Sequence, residues 1–227
     1  MKTLLIFILL SLNVFALDLL KPISGFWGVG MGYLDTNYKD EDPKVSLAPY
    51  IFGTYGDVNF EGNRATYTLW GNGKVYTSIV GQVRTHQSSE KYNKANAFEL
   101  GADVGFILPK GFITRLAFLH DSSGTHNGYE LDYQIFRHDR LESFSLLSSL
   151  ALQYQSKELT NYYYGTATYT PDTSVVTELE FIATIPIDKF DFFIGIRSYF
   201  YSQSINSSPI ASSNNTTFVF SGLGYSF

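Results

Sequence analysis

The chain has 227 residues, a formal net charge of −5 and no cysteine. The missing cysteine excludes disulfides and thiolate metal sites, and a mildly acidic chain without a basic run argues against nucleic acid as a partner. With 17 Tyr, 19 Phe and 19 Gly, the composition suits a soluble β-sandwich or a membrane barrel, and the length suits one domain.

The first predicted element is a cleaved signal peptide. After a short basic start, residues 4–12 form an apolar run, and Val14 and Ala16 supply the small side chains that a signal peptidase reads. Cleavage after Ala16 divides the chain into a signal peptide, residues 1–16, and a mature domain, residues 17–227. The alternative is a membrane anchor, but the apolar stretch falls short of the roughly 20 residues that a spanning helix needs.

The next element alternates between two faces, as a β-strand does. Between Gly25 and Leu34 the even positions are mostly glycine. The odd positions are apolar with an aromatic ring at each end, namely Trp27, Val29, Met31 and Tyr33. A lipid-facing band with aromatic girdles requires that pattern.

Residues 96–107 repeat the alternation. One face is apolar and carries Phe98, Leu100, Ala102, Val104 and Phe106. The other face carries Glu99, Gly101, Asp103 and Gly105. A soluble sandwich would bury the apolar face and a barrel would turn it to lipid, so alternation alone leaves both open.

Repetition and strand length favour the barrel. Further apolar faces recur within residues 129–135, 144–154 and 175–185. These runs reach about 9–13 residues, as tilted membrane strands do, whereas strands of soluble sheets are mostly about 5–6 residues long. We therefore predict an all-β fold, an antiparallel transmembrane β-barrel.

The last predicted strand, residues 217–227, supports the same assignment. Its apolar face carries Val219, Leu223, Tyr225 and Phe227. A terminal aromatic strand resembles the signal by which outer-membrane barrels are recognised for assembly. Tyr225 and Phe227 are therefore the candidate assembly signal, the barrel-assembly machinery and membrane lipid are expected partners, and the outer membrane of a Gram-negative bacterium is the expected location.

The links between strands differ in length, which sets the expected strand number. Short turns are predicted at residues 71–73, 109–111, 138–140 and 187–188. Longer polar links are predicted at residues 35–43, 86–95, 121–127, 156–161 and 202–215. Counted back from the last strand, long and short links alternate to about residue 156. The alternation then fails once in each half of the chain if every apolar run is one strand. We expect twelve strands, with ten as the alternative.

The inward faces of the predicted barrel carry most of the candidate functional residues. These are Glu99, Asp103, Arg115, Glu130, Asp132, Glu178, Glu180 and Arg197. The turn at residues 109–111 brings two of their strands together, and we expect Asp103 and Arg115 to face each other, a pairing that contributes about 0.2–1 kcal/mol in a sheet. Such charges either tie strands together across a small lumen, which we favour, or line a path for a solute.

The predicted loop at residues 121–128 gathers side chains that could bind or catalyse, namely Asp121, Ser123, Gly124, His126 and Gly128. Asp, Ser and His together raise the possibility of a hydrolase. No Gly-x-Ser-x-Gly elbow accompanies them, and the same residue types are common in tight loops. We therefore expect no catalytic residue, no metal site and no cofactor, and at most a binding role for this loop.

Three consecutive tyrosines, residues 162–164, have two readings. Tyrosine is enriched where a membrane protein meets the lipid headgroups, so the run can be part of an interfacial aromatic belt. Aromatic rings also stack against sugars. We expect the interfacial belt.

Five short pieces, in order, resemble the MipA/OmpV family of outer-membrane proteins. They are residues 99–102 (ELGA), 121–128 (DSSGTHNG), 161–165 (NYYYG), 208–210 (SPI) and 222–227 (GLGYSF). Each piece is unspecific alone, but the ordered set spans most of the mature chain. The region from Pro49 to Trp70 matches only loosely.

The resemblance implies a non-enzymatic barrel without catalytic residues. The founding member of the family is described as a scaffold that joins a lytic transglycosylase to a bifunctional murein synthase, and other members are linked to adhesion and to osmotic or antibiotic responses. We therefore expect a scaffolding barrel of the cell envelope, with these two classes of murein enzyme as partners. A narrow solute channel or a surface adhesin is the alternative, and an outer-membrane hydrolase is less favoured.

Overall fold

In the computed structural model, which describes residues 23–227, every strand pairs antiparallel with its neighbours in the chain, and the last strand pairs with the first. The strands are β1 (Ile23–Leu34), β2 (Lys44–Tyr55), β3 (Val58–Glu61), β4 (Arg64–Gly71), β5 (Val75–Arg84), β6 (Ala97–Ile107), β7 (Phe112–Asp121), β8 (Tyr129–Arg140), β9 (Ser145–Gln155), β10 (Ser174–Ile187), β11 (Phe190–Tyr201) and β12 (Asn215–Ser226). The all-β barrel and its twelve strands are thus confirmed. The predicted signal peptide lies outside the described residues.

The barrel closes where β1 meets β12. Val29 lies opposite Leu223 in this pair of strands. The Gly25 N–H donates to the Phe227 carbonyl at 3.2 Å, and the Phe227 N–H donates to the Gly25 carbonyl at 2.9 Å. Trp27 and Tyr225 face outward on either side of this seam, with ring centroids 6.5 Å apart.

Apolar side chains cover the outside of the barrel. Trp27 and Met31 are each 59% exposed, and Ala102 lies exposed in the middle of β6. So much exposed apolar surface would be costly in water but is stable against hydrocarbon. Within residues 23–227, no helix is long and apolar enough to cross a bilayer.

Glycines on the inner face make room for aromatic rings. A Cβ on Gly30 would lie 2.6 Å from the Tyr50 ring, and one on Gly195 would clash with the Phe220 ring. The rings that use this space form an aromatic patch on one side of the lumen. The aromatic patch consists of Phe26, Tyr50, Phe52, Phe193, Phe218 and Phe220, with Leu147 and Ile182 beside them.

The links at the two ends of the barrel differ. Turns of two to four residues join strands at one end, which short turns identify as periplasmic. There the chain turns at residues 141–144, because β8 continues to Arg140; the predicted turn at residues 138–140 is therefore wrong. Long loops join strands at the other, extracellular end. Two of them contain short helices, α1 (Lys157–Tyr164) and α2 (Gln203–Asn206).

The extracellular loops pack together into a loop plug. Its buried side chains are Tyr38, Leu159, Tyr163, Tyr164, Val176, Tyr199, Tyr201, Ile205 and Ala211. The Tyr38 hydroxyl donates to the carbonyls of Gln87, at 2.8 Å, and Tyr163, at 3.1 Å, so three loops meet at this one side chain. The predicted interfacial belt at residues 162–164 is therefore wrong, since Tyr163 and Tyr164 are completely buried.

Candidate functional site

The lumen holds a cavity of about 1170 Å³. Its lining runs from the periplasmic turns, including Leu141 and Phe144, up to Arg84. Of the extracellular loops, which all lie within the described residues, only His86 reaches the lining. The cavity therefore faces the periplasm, and the loop plug lies over its other end.

Four arginines, each held by acidic side chains, organise the inside of the barrel. Near the middle of the barrel, Arg64 lies 3.0 Å from Asp132 and 3.5 Å from Asp103. Arg115 binds both carboxylate oxygens of Glu61, at 3.1 and 2.7 Å. These contacts join β3, β4, β6, β7 and β8 across the lumen rather than between neighbouring strands alone.

The expected facing of Asp103 and Arg115 is wrong. Asp103 lies opposite Ala117, and Arg115 lies opposite Gly105, two residues away from the expected register. The turn is centred on Lys110, since Ile107 lies opposite Ile113 and the Leu108 N–H donates to the Phe112 carbonyl at 2.8 Å. The expected facing would need a turn centred one residue earlier, on Pro109.

Arg197 lies on the wall between β10 and β11. It sits opposite Glu180 in the register of these strands. Its Nε donates to Glu180 Oε1 at 2.7 Å, and Glu178 Oε1 lies 3.3 Å away. This cluster lines the cavity, and the Arg197 side chain keeps 22% of its surface exposed.

Arg84 forms the most enclosed charge cluster, directly below the loop plug. Its Nε lies 2.9 Å from Glu99 Oε1, and its Nη2 lies 2.8 Å from Glu130 Oε2. All three side chains are almost completely buried. Gln87 accepts a further hydrogen bond from Arg84 at 3.0 Å, which ties the extracellular loop 85–96 to the barrel wall.

Asp121 organises the loop that carries the Ser and His candidates. Its Oδ1 accepts hydrogen bonds from the N–H and hydroxyl of Ser123, at 2.8 and 2.7 Å. Its Oδ2 accepts from the backbone N–H groups of His126 and Asn127, at 2.6 and 2.8 Å. Gly124 adopts a φ of +73°, which glycine allows without strain.

His126 is occupied by structural contacts. Its Nε2 lies 3.1 Å from Glu99 Oε1, and its Nδ1 accepts from the Gly128 N–H at 3.0 Å. Gly128 packs against the start of α1, where a Cβ would lie 2.5 Å from Ser156 Oγ. Because Ser123 is bonded to Asp121 and not to His126, this loop is not arranged as a nucleophile and its base.

Three members of the charge clusters were missed in the sequence, namely Glu61, Arg64 and Arg84. The first two lie in the region of β3 and β4, where apolar faces are short and gave no register. Arg84 shares its parity with the inward Ser78 and Gln82, a signal that could have identified it. Within the described range, no three His, Asp or Glu side chains are arranged to hold a metal ion.

The ionisable groups of the loop plug are kept uncharged by their surroundings. Burial raises the pKa of the Tyr38 hydroxyl, and it raises the pKa of Tyr164 to about 12. Burial, with Arg84 and Arg197 nearby, lowers the pKa of His86 well below its ordinary value. Neutral His86 stacks on Tyr199 with ring centroids 4.5 Å apart. The plug therefore packs as an uncharged layer over the arginine clusters.

Comparisons with known proteins give one family. A family model described as MltA-interacting protein MipA matches residues 27–227. The comparison with curated proteins gave no match. A refined porin structure is similar over 91% of this chain and 100% of its own, with 7% identity and a TM-score of 0.39. In-vitro folded OmpT, an outer-membrane protein of Vibrio cholerae, is similar over 93% of this chain and 100% of its own, with 8% identity and a TM-score of 0.40.

Proposed function

Because the chain belongs to the MltA-interacting protein family, MipA, and is a barrel of the outer membrane, we propose that it is a non-enzymatic scaffold for murein enzymes. The family description names an interaction with MltA. In the same kind of role, this chain would hold a lytic transglycosylase and a murein synthase at its periplasmic end.

One observation supports this proposal most directly, namely the direction in which the lumen faces. The cavity is lined from the periplasmic turns upward, whereas the extracellular loops pack into the buried loop plug. Murein lies on the periplasmic side of the outer membrane, so its enzymes meet the end of the barrel that carries the short turns. The salt bridges of the arginine clusters involve eight of the strands, which suits a rigid support.

Site-specific photocrosslinking in cells tests the scaffold. A photoreactive residue replaces Asn72, Lys110 or Glu142 in the periplasmic turns, and the matched controls carry it at Glu90 or Ser207 in the extracellular loops, all exposed positions. We expect murein synthases or lytic transglycosylases to be captured from the turns and not from the loops. Capture from the loops alone, or no enrichment of murein enzymes at any turn, would contradict the scaffold.

The narrow channel predicts a different electrical behaviour. Because the loop plug closes the extracellular end, we expect the refolded protein to show no stepwise conductance in planar bilayers. Replacing Tyr163 and Tyr164 together with Ala removes two fully buried rings and should produce open steps. Replacing Tyr133, which faces lipid on β8, with Ala is the matched control and should leave the bilayer silent. Regular steps from the unaltered protein would favour the channel instead.

A further inference from the structure

The wall of the barrel is incomplete beside β2. β3 has four residues, and it pairs only with Phe52–Tyr55, the periplasmic third of β2. The turn at residues 62–63 then reverses the chain inside the wall. There the Gly62 N–H donates to the Ile51 carbonyl at 3.1 Å, and the Val83 N–H donates to the Asn63 carbonyl at 3.0 Å. Beyond this turn, no described strand lies between residues 44–51 of β2 and the end of β5.

The opening has a defined frame, which we call the lateral window. Its lower border is the turn at residues 62–63, where three strand spacings separate β2 from β5, about 14 Å between backbones. Its upper border is closed by the loops, since Lys44 Nζ donates to the Ser88 carbonyl at 2.6 Å. Asn63 also lines the lumen cavity, so the cavity reaches the lower border of the window.

The free edge of β2 constrains what can lie in the window. The Ile51 carbonyl points towards the window side, and a strand period of two places the backbone groups of Pro49 on that same side. Proline has no N–H to leave unpaired, and it is found on free strand edges for this reason. An edge with unpaired groups does not persist in hydrocarbon unless it lines a wet cavity or is covered. Pro49 therefore fits a window that opens into the lumen, and it disfavours an added strand.

The aromatic patch continues from β2 along β1, β12 and β11, so its rings on β2 lie next to the window. Tyr50 and Phe52 are inward-facing residues of β2 at its lower corner. The Tyr50 ring lies 5.0 Å from the Phe193 ring and 5.9 Å from the Phe220 ring, measured between centroids. Tyr50 and Phe52 remain half-buried, so the patch offers apolar surface in a lumen whose lining is mostly polar or charged.

We propose that the lateral window admits an acyl chain of a membrane lipid, which binds on the aromatic patch. The apolar tail reaches the rings from the surrounding bilayer, and the polar headgroup stays at the wet edge of β2. A lipid matches both the aromatic patch and the polar edge of β2. Its hydrocarbon chain loses contact with water when it covers the rings, and it needs no hydrogen bond from them. The inference is independent of the proposed scaffold, since it concerns a side of the barrel that faces lipid.

Tryptophan quenching by brominated acyl chains tests the window. The chain contains 2 Trp, so Trp27→Phe with Trp70→Phe gives a background without tryptophan. Tyr50→Trp in this background places the reporter on the aromatic patch. Phe136→Trp is the matched control, because Phe136 lines the cavity on β8, across the twelve-strand barrel from β2. Both variants are refolded into vesicles of phosphatidylcholine with brominated chains.

We expect the Tyr50→Trp reporter to lose fluorescence almost as strongly as lipid-facing Trp27 does when only Trp70 is replaced, and the Phe136→Trp reporter to lose little. If Tyr50→Trp fails the heat-modifiable gel shift that reports folding, Phe52→Trp takes its place. Quenching on β2 no stronger than on β8 would overturn the proposal. So would disulfide-linked dimers of Ala48→Cys, because a second copy of the chain would then cover the edge.

Discussion

Replacing Arg84 with Met should lower the free energy of unfolding by about 3–5 kcal/mol, because it leaves Glu99 and Glu130 buried without their counter-charge. Arg84 has no exposed side-chain surface, and each carboxylate lies within 2.9 Å of it. The loss is measured by urea titration of the refolded protein in lipid vesicles, with the heat-modifiable gel shift as the readout of folding. The hydrogen bond to Gln87 disappears as well, so the loop plug should loosen.

A matched variant separates burial from charge pairing. Arg197→Met also removes an arginine held by two glutamates, but Arg197 borders the cavity and keeps 22% of its side-chain surface exposed. The two glutamates around Arg197 can stay hydrated, so Arg197→Met should lower the free energy of unfolding clearly less than Arg84→Met does. The combined variant Arg84→Met, Glu99→Gln, Glu130→Gln should recover most of the stability. Equal losses at Arg84 and Arg197 would show that burial does not set the cost.

Replacing Ala102 with Arg should cost about 2–4 kcal/mol, because the guanidinium must enter hydrocarbon or draw water into the membrane. Ala102 is the central residue of β6 and points outward, between Ile79 on β5 and Phe118 on β7. We expect poor refolding into bilayers in the gel-shift assay and a lower urea midpoint for the fraction that folds.

Two comparison variants fix the direction of each face. Thr184→Arg places the same side chain on an inward position that lines the cavity, where water and the acidic groups of the lumen should make its cost much smaller. Asp103→Asn should be mild, because Arg64, which lies 3.5 Å from Asp103, keeps its closer contact with Asp132 at 3.0 Å. A normal Ala102→Arg protein beside an unfolded Asp103→Asn protein would reverse the two faces.

The barrel and its faces could be predicted because membrane strands repeat one local rule. In β1 and β6 the period of two places most apolar side chains outward, with Phe26 in the lumen as an exception, and this pattern needs no knowledge of neighbouring strands. The register between neighbouring strands does not follow from this period. The pairing of Asp103 with Arg115 is wrong because the turn between β6 and β7 is centred on Lys110, and a shift of the centre by one residue changes every partner across the hairpin by two.

The loop plug and the lateral window depend on contacts that sequence periodicity does not encode. Tyr163 is buried because its hydroxyl and carbonyl meet Ala95 and Tyr38 from distant loops. One local signal existed, since Ser156 accepts from the Leu159 N–H as a helix N-cap and Glu158 occupies the first turn of α1. The turn-forming pairs at residues 56–57 and 62–63 are also too close in sequence for a membrane-spanning strand between them, and this spacing predicts the short β3.

The seam between β1 and β12 has a kinetic consequence. Strands at opposite ends of the chain must pair, so closing the ring costs the entropy of a loop of almost the whole domain, whereas every other pairing is between neighbours. Hairpins should therefore form early, and zipping of the seam should limit the folding rate. A nascent chain truncated before residue 215 keeps unpaired edges on β1 and β11, and unpaired edges promote aggregation and proteolysis in the periplasm.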